Sequence, residues 1–125
     1  MLTPEVRQNL ARAKEVIAIG TASHEGDITA ETHRAGLRAR QTATWIAPAV
    51  PASVPIHTLN LGQYRDACAD CETADTSWQR PFVIVTVRSK DEGADIGQAL
   101  AAAMSDKSNL PSLSAYSTFG LARHR

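Results

Sequence analysis

Between Glu15 and Leu61 three patterns follow one another, and their order limits the fold more than any other feature of this chain. Glu15–Gly20 (Glu-Val-Ile-Ala-Ile-Gly) is a short apolar, β-branched run closed by glycine, which predicts a buried strand. From Thr29 to Ala47 the apolar spacing is helical: Ala35, Ala39, Ala43 and Ile46 form a stripe of mostly small residues. Glu31, Arg34, Arg38 and Arg40 are expected on the opposite side, and Pro48 stops the run. Ile56–Leu61 then alternates Ile56, Thr58 and Asn60 against His57, Leu59 and Leu61, the pattern of a second strand. A strand, a crossover helix and a second strand imply a right-handed unit with two parallel strands. Small side chains let its helix lie close against the sheet.

The flanking segments extend this unit. Leu2–Lys14 reads as a helix, with Thr3 as cap, Pro4 at the first helical position, Glu5 at the positive end of the dipole, and Leu2, Val6 and Leu10 on one face. Phe82–Val87 (Phe-Val-Ile-Val-Thr-Val) predicts a strand. After Asp91-Glu92-Gly93, the spacing of Ile96, Ala99, Leu100, Ala103 and Met104 predicts an Ala-rich helix. The tail beyond Lys107 is rich in Ser and is expected to be loosely packed or disordered. The fold class that follows is α/β (α+β): a two-layer sandwich with a mixed sheet and helices on one face, spanning residues 1–106, with 107–125 as a tail. No internal repeat is visible.

Composition excludes several classes of function. Thirteen basic and thirteen acidic residues give zero net charge, so the broad positive field of a nucleic-acid binder is missing. No apolar run reaches the roughly 18 residues that cross a bilayer, and the first ten residues carry no basic-then-apolar leader pattern. Six aromatic residues, two each of Phe, Trp and Tyr, leave the core to Val, Ile, Leu and Ala. Trp45 and Trp78 are expected to be packing residues.

The chemistry-bearing residues fall in two places. Ser23, His24 and Asp27 are the residue types of a hydrolase triad, but they sit on one turn, whereas a triad is assembled from distant segments. Turn formation and capping of the next helix account for Ser23 and Asp27 better. Cys68 and Cys71, in the order Cys-Ala-Asp-Cys, lie in an acidic loop. They are open to three readings: half of a zinc site, a redox pair, or a loop disulfide. No second CxxC or HxxxH accompanies them, and the histidines are His24, His33, His57 and His124. The pair is read as a staple in an exported chain and as free thiols in a cytosolic one. No metal or other cofactor is expected. The Gly20–Gly26 turn lacks the Lys-Ser/Thr pair of a phosphate loop.

The order of elements and several spaced residues together resemble the C-terminal domain of the OmpA/MotB/Pal family, which anchors envelope proteins to peptidoglycan. The family strand ends in Gly-His-Thr-Asp, followed by a Gly three residues later and a helix carrying Leu-Ser-x-x-Arg-Ala. Here Ile19-Gly20-Thr21-Ala22-Ser23 ends the strand, Gly26 lies three beyond Ser23, and Arg38-Ala39 falls at the matching distance on the helix. Gln79-Arg80-Pro81-Phe82-Val83 echoes the family's Asn-Arg-Arg-Val, and Gly62 matches a Gly after the middle strand. The similarity covers about Leu2 to Val87.

The resemblance implies a non-enzymatic domain that binds peptidoglycan or a related carboxylate-bearing envelope ligand. In the family the Asp holds the ammonium group of the diamino acid in the stem peptide, and the Arg holds its carboxylate. Arg38 fills the second role, while Ser23 stands at the Asp position. Thr21, Ser23, Glu25, Asp27, Glu31, Arg38 and Arg80 are therefore the candidate ligand residues. Arg34 and Ala35 replace the family's Leu and Ser. Family domains also begin with a strand, for which this sequence has no counterpart, so three strands and an open edge that a partner would cover are expected. The alternative function is a degenerate member of the fold, acting as a protein-interaction or assembly module without glycan binding. A weaker third reading is a small hydrolase or redox protein using Cys68 and Cys71. The resemblance places the domain in the envelope or periplasm if the chain is part of a longer exported protein; as a complete chain it would be cytoplasmic.

Overall fold

The computed structural model describes residues 3–22, 27–64, 83–87, 96–106 and 116–125. Helix α1 (Pro4–Arg12) starts at Thr3, whose hydroxyl accepts the Val6 N–H at 3.2 Å. Leu10 is fully buried and Val6 packs against the same cluster. The helix is shorter than the 2–14 span because Ala13 is already extended and the Lys14 N–H bonds the Val87 carbonyl, drawing the chain into the sheet. Strand β1 (Glu15–Ala22) follows, buried at every residue after Glu15. Helix α2 (Ile28–Ile46) begins on Asp27, whose carboxylate accepts the Ala30 N–H at 3.2 Å. A short 3-10 turn (Ala47–Ala49) leads toward β2 (Ile56–Gln63), and then come β3 (Val83–Val87), α3 (Ile96–Asp106) and β4 (Gly120–Arg123).

The four strands form one mixed sheet in the order β3-β1-β2-β4. β1 and β2 are parallel, with Val16 beside Ile56 and Ile19 beside Leu59, so β1, α2 and β2 make the expected crossover unit. β3 runs antiparallel to β1, with Ile17 opposite Val85, and β4 runs antiparallel to β2, with Leu59 opposite Leu121. The molecule is an α/β sandwich.

Its core has two parts because β1 is apolar on both pleats. Val16, Ala18 and Ile56 pack with Leu10 of α1 and with Ala43 and Ile46 of α2. Ile17, Ile19, Leu59 and Leu61 pack with Leu100 and Met104 of α3. Helices therefore cover both faces of the sheet, not one. The stripe on α2 is as the spacing predicts: Ala35, Ala39, Ala43 and Ile46 are all fully buried. Gly20 makes this close seating possible, because a Cβ there would stand 1.9 Å from the Ala35 carbonyl oxygen and 2.7 Å from the Ala39 nitrogen.

The C-terminal segment corrects the expected tail. Residues 116–125 are built into the domain, and β4 supplies a fourth strand on the β2 side of the sheet. Past β4, the N–H groups of His124 and Arg125 donate to the Ile56 carbonyl at 2.8 and 3.1 Å. The Arg125 guanidinium reaches back to the carbonyls of Pro51 (2.8 Å) and Val54 (3.0 Å). The Ser-rich composition hid this segment because its attachment is mainly through backbone hydrogen bonds, which any residue except proline can make in full.

Candidate functional site

The carboxyl ends of β1 and β2 meet the first turns of α2, and most of the sequence-derived candidates within the described residues gather there. The placement has a topological cause: a right-handed crossover brings the start of its helix back over the end of the strand it left. Arg38 lies on the flank of α2 beside the buried stripe and is half-buried. Its Nη1 donates to the Thr21 carbonyl oxygen at 2.8 Å. The guanidinium is thus held at the carboxyl end of β1.

The other candidates divide. Thr21 belongs to β1 rather than to the following turn, and its side chain is only 1% exposed, so its carbonyl rather than its hydroxyl meets Arg38. The strand runs two residues further than the sequence pattern showed because Ala22 pairs with Gln63 and accepts the Tyr64 N–H at 2.9 Å. Asp27 is the N-cap of α2, an arrangement that places its negative charge at the positive end of the helix dipole. Glu31 is buried, not on the polar side with the arginines, and its carboxylate pairs with Arg34 rather than with Arg38. Arg34 keeps 60% of its side chain exposed. Ser23, Glu25, Arg80, Cys68 and Cys71 lie outside the described residues, as do His24 and Trp78. Trp45, expected to pack, is 47% exposed, because it falls off the Ala35–Ile46 stripe that faces the sheet.

No family model matches this chain, and no curated protein or solved structure matches it. The site is accordingly read from its own geometry.

A bulge in β2 shapes the second wall. Between Gly20 and Ala22 of β1, β2 advances three residues instead of two, from Asn60 to Gln63, and Gly62 adopts φ +69°. Asn60 pins the bulge from both ends: its Oδ1 accepts the Gly62 N–H at 2.8 Å and its Nδ2 donates to the Thr32 carbonyl of α2 at 3.0 Å. The C-terminal segment closes over it. The Gln63 N–H donates to the Ser117 hydroxyl at 2.9 Å, the Ser117 N–H to the Gln63 carbonyl at 2.9 Å, and the Thr118 N–H to the Leu61 carbonyl at 3.1 Å. Sequence reasoning treated Gly62 only as a family match and missed Asn60, Tyr116 and Ser117. The available signal was Asn60 and Gly62 inside a strand pattern, which marks a bulge.

Tyr64 and Tyr116 pair edge to face beside the bulge, with ring centroids 5.4 Å apart. The Tyr116 hydroxyl is pushed up to about 12, chiefly by burial and then by neighbouring Tyr64. It is a neutral phenol at physiological pH and acts as a wall. Among the described residues, no three His, Cys, Asp or Glu side chains converge on a position that could hold a metal ion. No described helix is long and apolar enough to cross a membrane. The site holds a guanidinium fixed at a strand end, a second guanidinium one turn earlier, and a buried carboxylate in the first turn of α2.

Proposed function

We propose that this domain is a non-enzymatic binding module for peptidoglycan, or for a closely related carboxylate-bearing ligand of the cell envelope. One observation carries the reading: the Arg38 guanidinium bonds the Thr21 carbonyl at 2.8 Å and so stands at the carboxyl end of β1. A planar guanidinium matches a carboxylate with two parallel N–H···O bonds, and a fork already held by the protein loses less freedom on binding. Arg34, four residues earlier on the same flank, adds a second positive charge.

The stem peptide's diamino acid also carries an ammonium group, and Ser23 brings no countercharge to it. Glu31 supplies the negative charge instead. Its partner Arg34 is largely in solvent, so a ligand ammonium can take the place of that guanidinium on the Glu31 carboxylate. Asp27 contributes to the same negative end of the site from the N-cap. The outcome of binding is attachment. The domain then works as an anchor within the envelope.

Retention on purified, insoluble peptidoglycan tests this directly. The intact chain is expected to co-sediment, and Arg38→Ala to weaken binding about ten- to hundredfold through loss of a charge-assisted pair. Arg38→Lys keeps the charge but not the fork and falls between them. Absence of retention in the intact chain overturns the proposal.

A further inference from the structure

Strand β4 differs from the strands beside it in what holds it. β1 is buried at every residue after Glu15, whereas Gly120, Ala122 and Arg123 of β4 are exposed and Leu121 is half-buried. Within residues 116–125, packing against the cluster of Ile17, Leu59 and Leu61 comes from Tyr116, Phe119 and Leu121. A segment with few buried apolar contacts and a solvent-exposed ladder lies at the low-stability end of a fold.

Polar anchors hold the segment instead, one group at each end of β2. At the carboxyl end, the Ser117 N–H donates to the Gln63 carbonyl and the Ser117 hydroxyl accepts the Gln63 N–H, both at 2.9 Å. These residues lie directly on the bulge, since a Cβ on Gly62 would stand 2.3 Å from Ser117 Oγ and 2.9 Å from Thr118 Cγ2. At the amino end, the His124 and Arg125 N–H groups donate to the Ile56 carbonyl, and the Ile56 N–H donates back to the Arg125 carbonyl at 3.2 Å. The Arg125 guanidinium clasps the Pro51 and Val54 carbonyls just before β2. Between the two anchors run roughly 23 Å of β2, from Ile56 to Gln63, with β4 alongside.

We propose that residues 116–125 are a strap that opens and closes as one unit over the bulged end of β2, with Arg125 as its distal latch. A four-residue edge ladder with exposed side chains has too little packing of its own to stay paired once an end is released, so loss of either anchor frees the other. Closed, the strap supplies Tyr116 and Ser117 to the wall beside the bulge. Open, it leaves the edge of β2 and Gly62 bare, while Arg38 stays on the Thr21 carbonyl. The strap therefore sets whether the candidate site has its second wall, whatever ligand Arg38 takes.

Native-state amide hydrogen exchange on the full chain, in rising urea below the unfolding transition, tests the strap. Its reporters are the amides of Ser117, Thr118, His124 and Arg125, together with Ile56 and Gln63, whose acceptors are the Arg125 carbonyl and the Ser117 hydroxyl. Val16 and Tyr64 are the references, because their N–H groups bond the Pro55 and Ala22 carbonyls at the same two ends of the sheet. The reporters are expected to share one opening free energy with a shallow urea slope, and to exchange at least about tenfold faster than the references relative to unstructured rates. Arg125→Ala removes the clasp and is expected to speed every reporter about five- to tenfold, Ser117 and Thr118 at the far end included, and to leave the references unchanged. Acceleration confined to Ile56 and positions 124 and 125 would mean independent fraying and overturns the proposal. One common free energy and slope for reporters and references also overturns it, because the segment would then open only with the whole domain.

Discussion

Replacing Gly20 by alanine tests the contact on which the site geometry depends. The added methyl would stand 1.9 Å from the Ala35 carbonyl oxygen, 2.7 Å from the Ala39 nitrogen and 2.9 Å from the Ala39 Cβ. A carbon and a carbonyl oxygen rest at about 3.3 Å, so the shortfall is 3.3 − 1.9, or about 1.4 Å. All three obstructing atoms belong to the backbone or first side-chain atom of α2, so no rotamer change relieves them, and the helix must lift. A gap of about 1 Å forfeits up to half of each dispersion contact along the Ala35, Ala39, Ala43 and Ile46 stripe. Overpacking of this kind costs about 1–3 kcal/mol and sometimes more. The gain from removing a glycine within a strand is only about 0.5–1 kcal/mol. With the obstruction on backbone atoms the cost should reach or pass the upper end, for a net loss of about 2–3 kcal/mol. Urea unfolding followed by far-UV circular dichroism should show the midpoint falling by roughly 1.5–2 M. Gly120→Ala is the internal control: it also lies in a strand, its Cβ would meet only ordinary contacts at 3.7 Å, and it should raise stability by about 0.5–1 kcal/mol. A Gly20→Ala protein within about 1 kcal/mol of the parent would show that α2 is not seated on β1 as described. The 2.8 Å bond from Arg38 to Thr21 would then lose its structural basis as well.

Two other outcomes follow from single groups. Asp27→Ala should cost about 1 kcal/mol by removing the side-chain acceptor of the Ala30 N–H. Asp27→Asn keeps that acceptor and should retain stability, so any loss of peptidoglycan binding in it reports the charge alone. One of the chain's two tyrosines should ionise late in a spectrophotometric titration, near pH 12, and Tyr116→Phe should remove that step. Because the Tyr116 value is raised in the folded state, its contribution to stability is complete below the unfolded-state pKa of about 10 and is lost as pH rises through about 12. Parallel loss in Tyr116→Phe and the parent across that window would refute the assignment.

How much could be read from the residues alone depended on whether a feature carries a period. The Ala35–Ala39–Ala43–Ile46 stripe and the alternating Ile56–Leu61 run repeat with the geometry of their elements, so both the crossover unit and the buried face of α2 were legible. Arg38 was singled out only through the family resemblance, and its bond to the Thr21 carbonyl 17 places earlier carries no periodic signature. Glu31 was misplaced because polarity was taken to decide burial, whereas its carboxylate is buried with a guanidinium partner at hand. Covering of the sheet's second face by α3 depends on the direction of a chain reversal that no local pattern encodes.

The C-terminal segment marks the limit of such reading more sharply. Gly120–Arg123 has neither alternation nor a run of β-branched residues, and what makes it a strand is the open edge of β2. Its upstream residues then reach the site: Ser117 bonds Gln63 in both directions, and Tyr116 packs against Tyr64 beside the Gly62 bulge. One half of the rim, the seat of α2, is therefore set by local periodicity, and the other half by a strand that exists only because another strand awaits it. Loss of the last ten residues would thus act on the candidate site through the bulge, although Arg38 itself is held from β1.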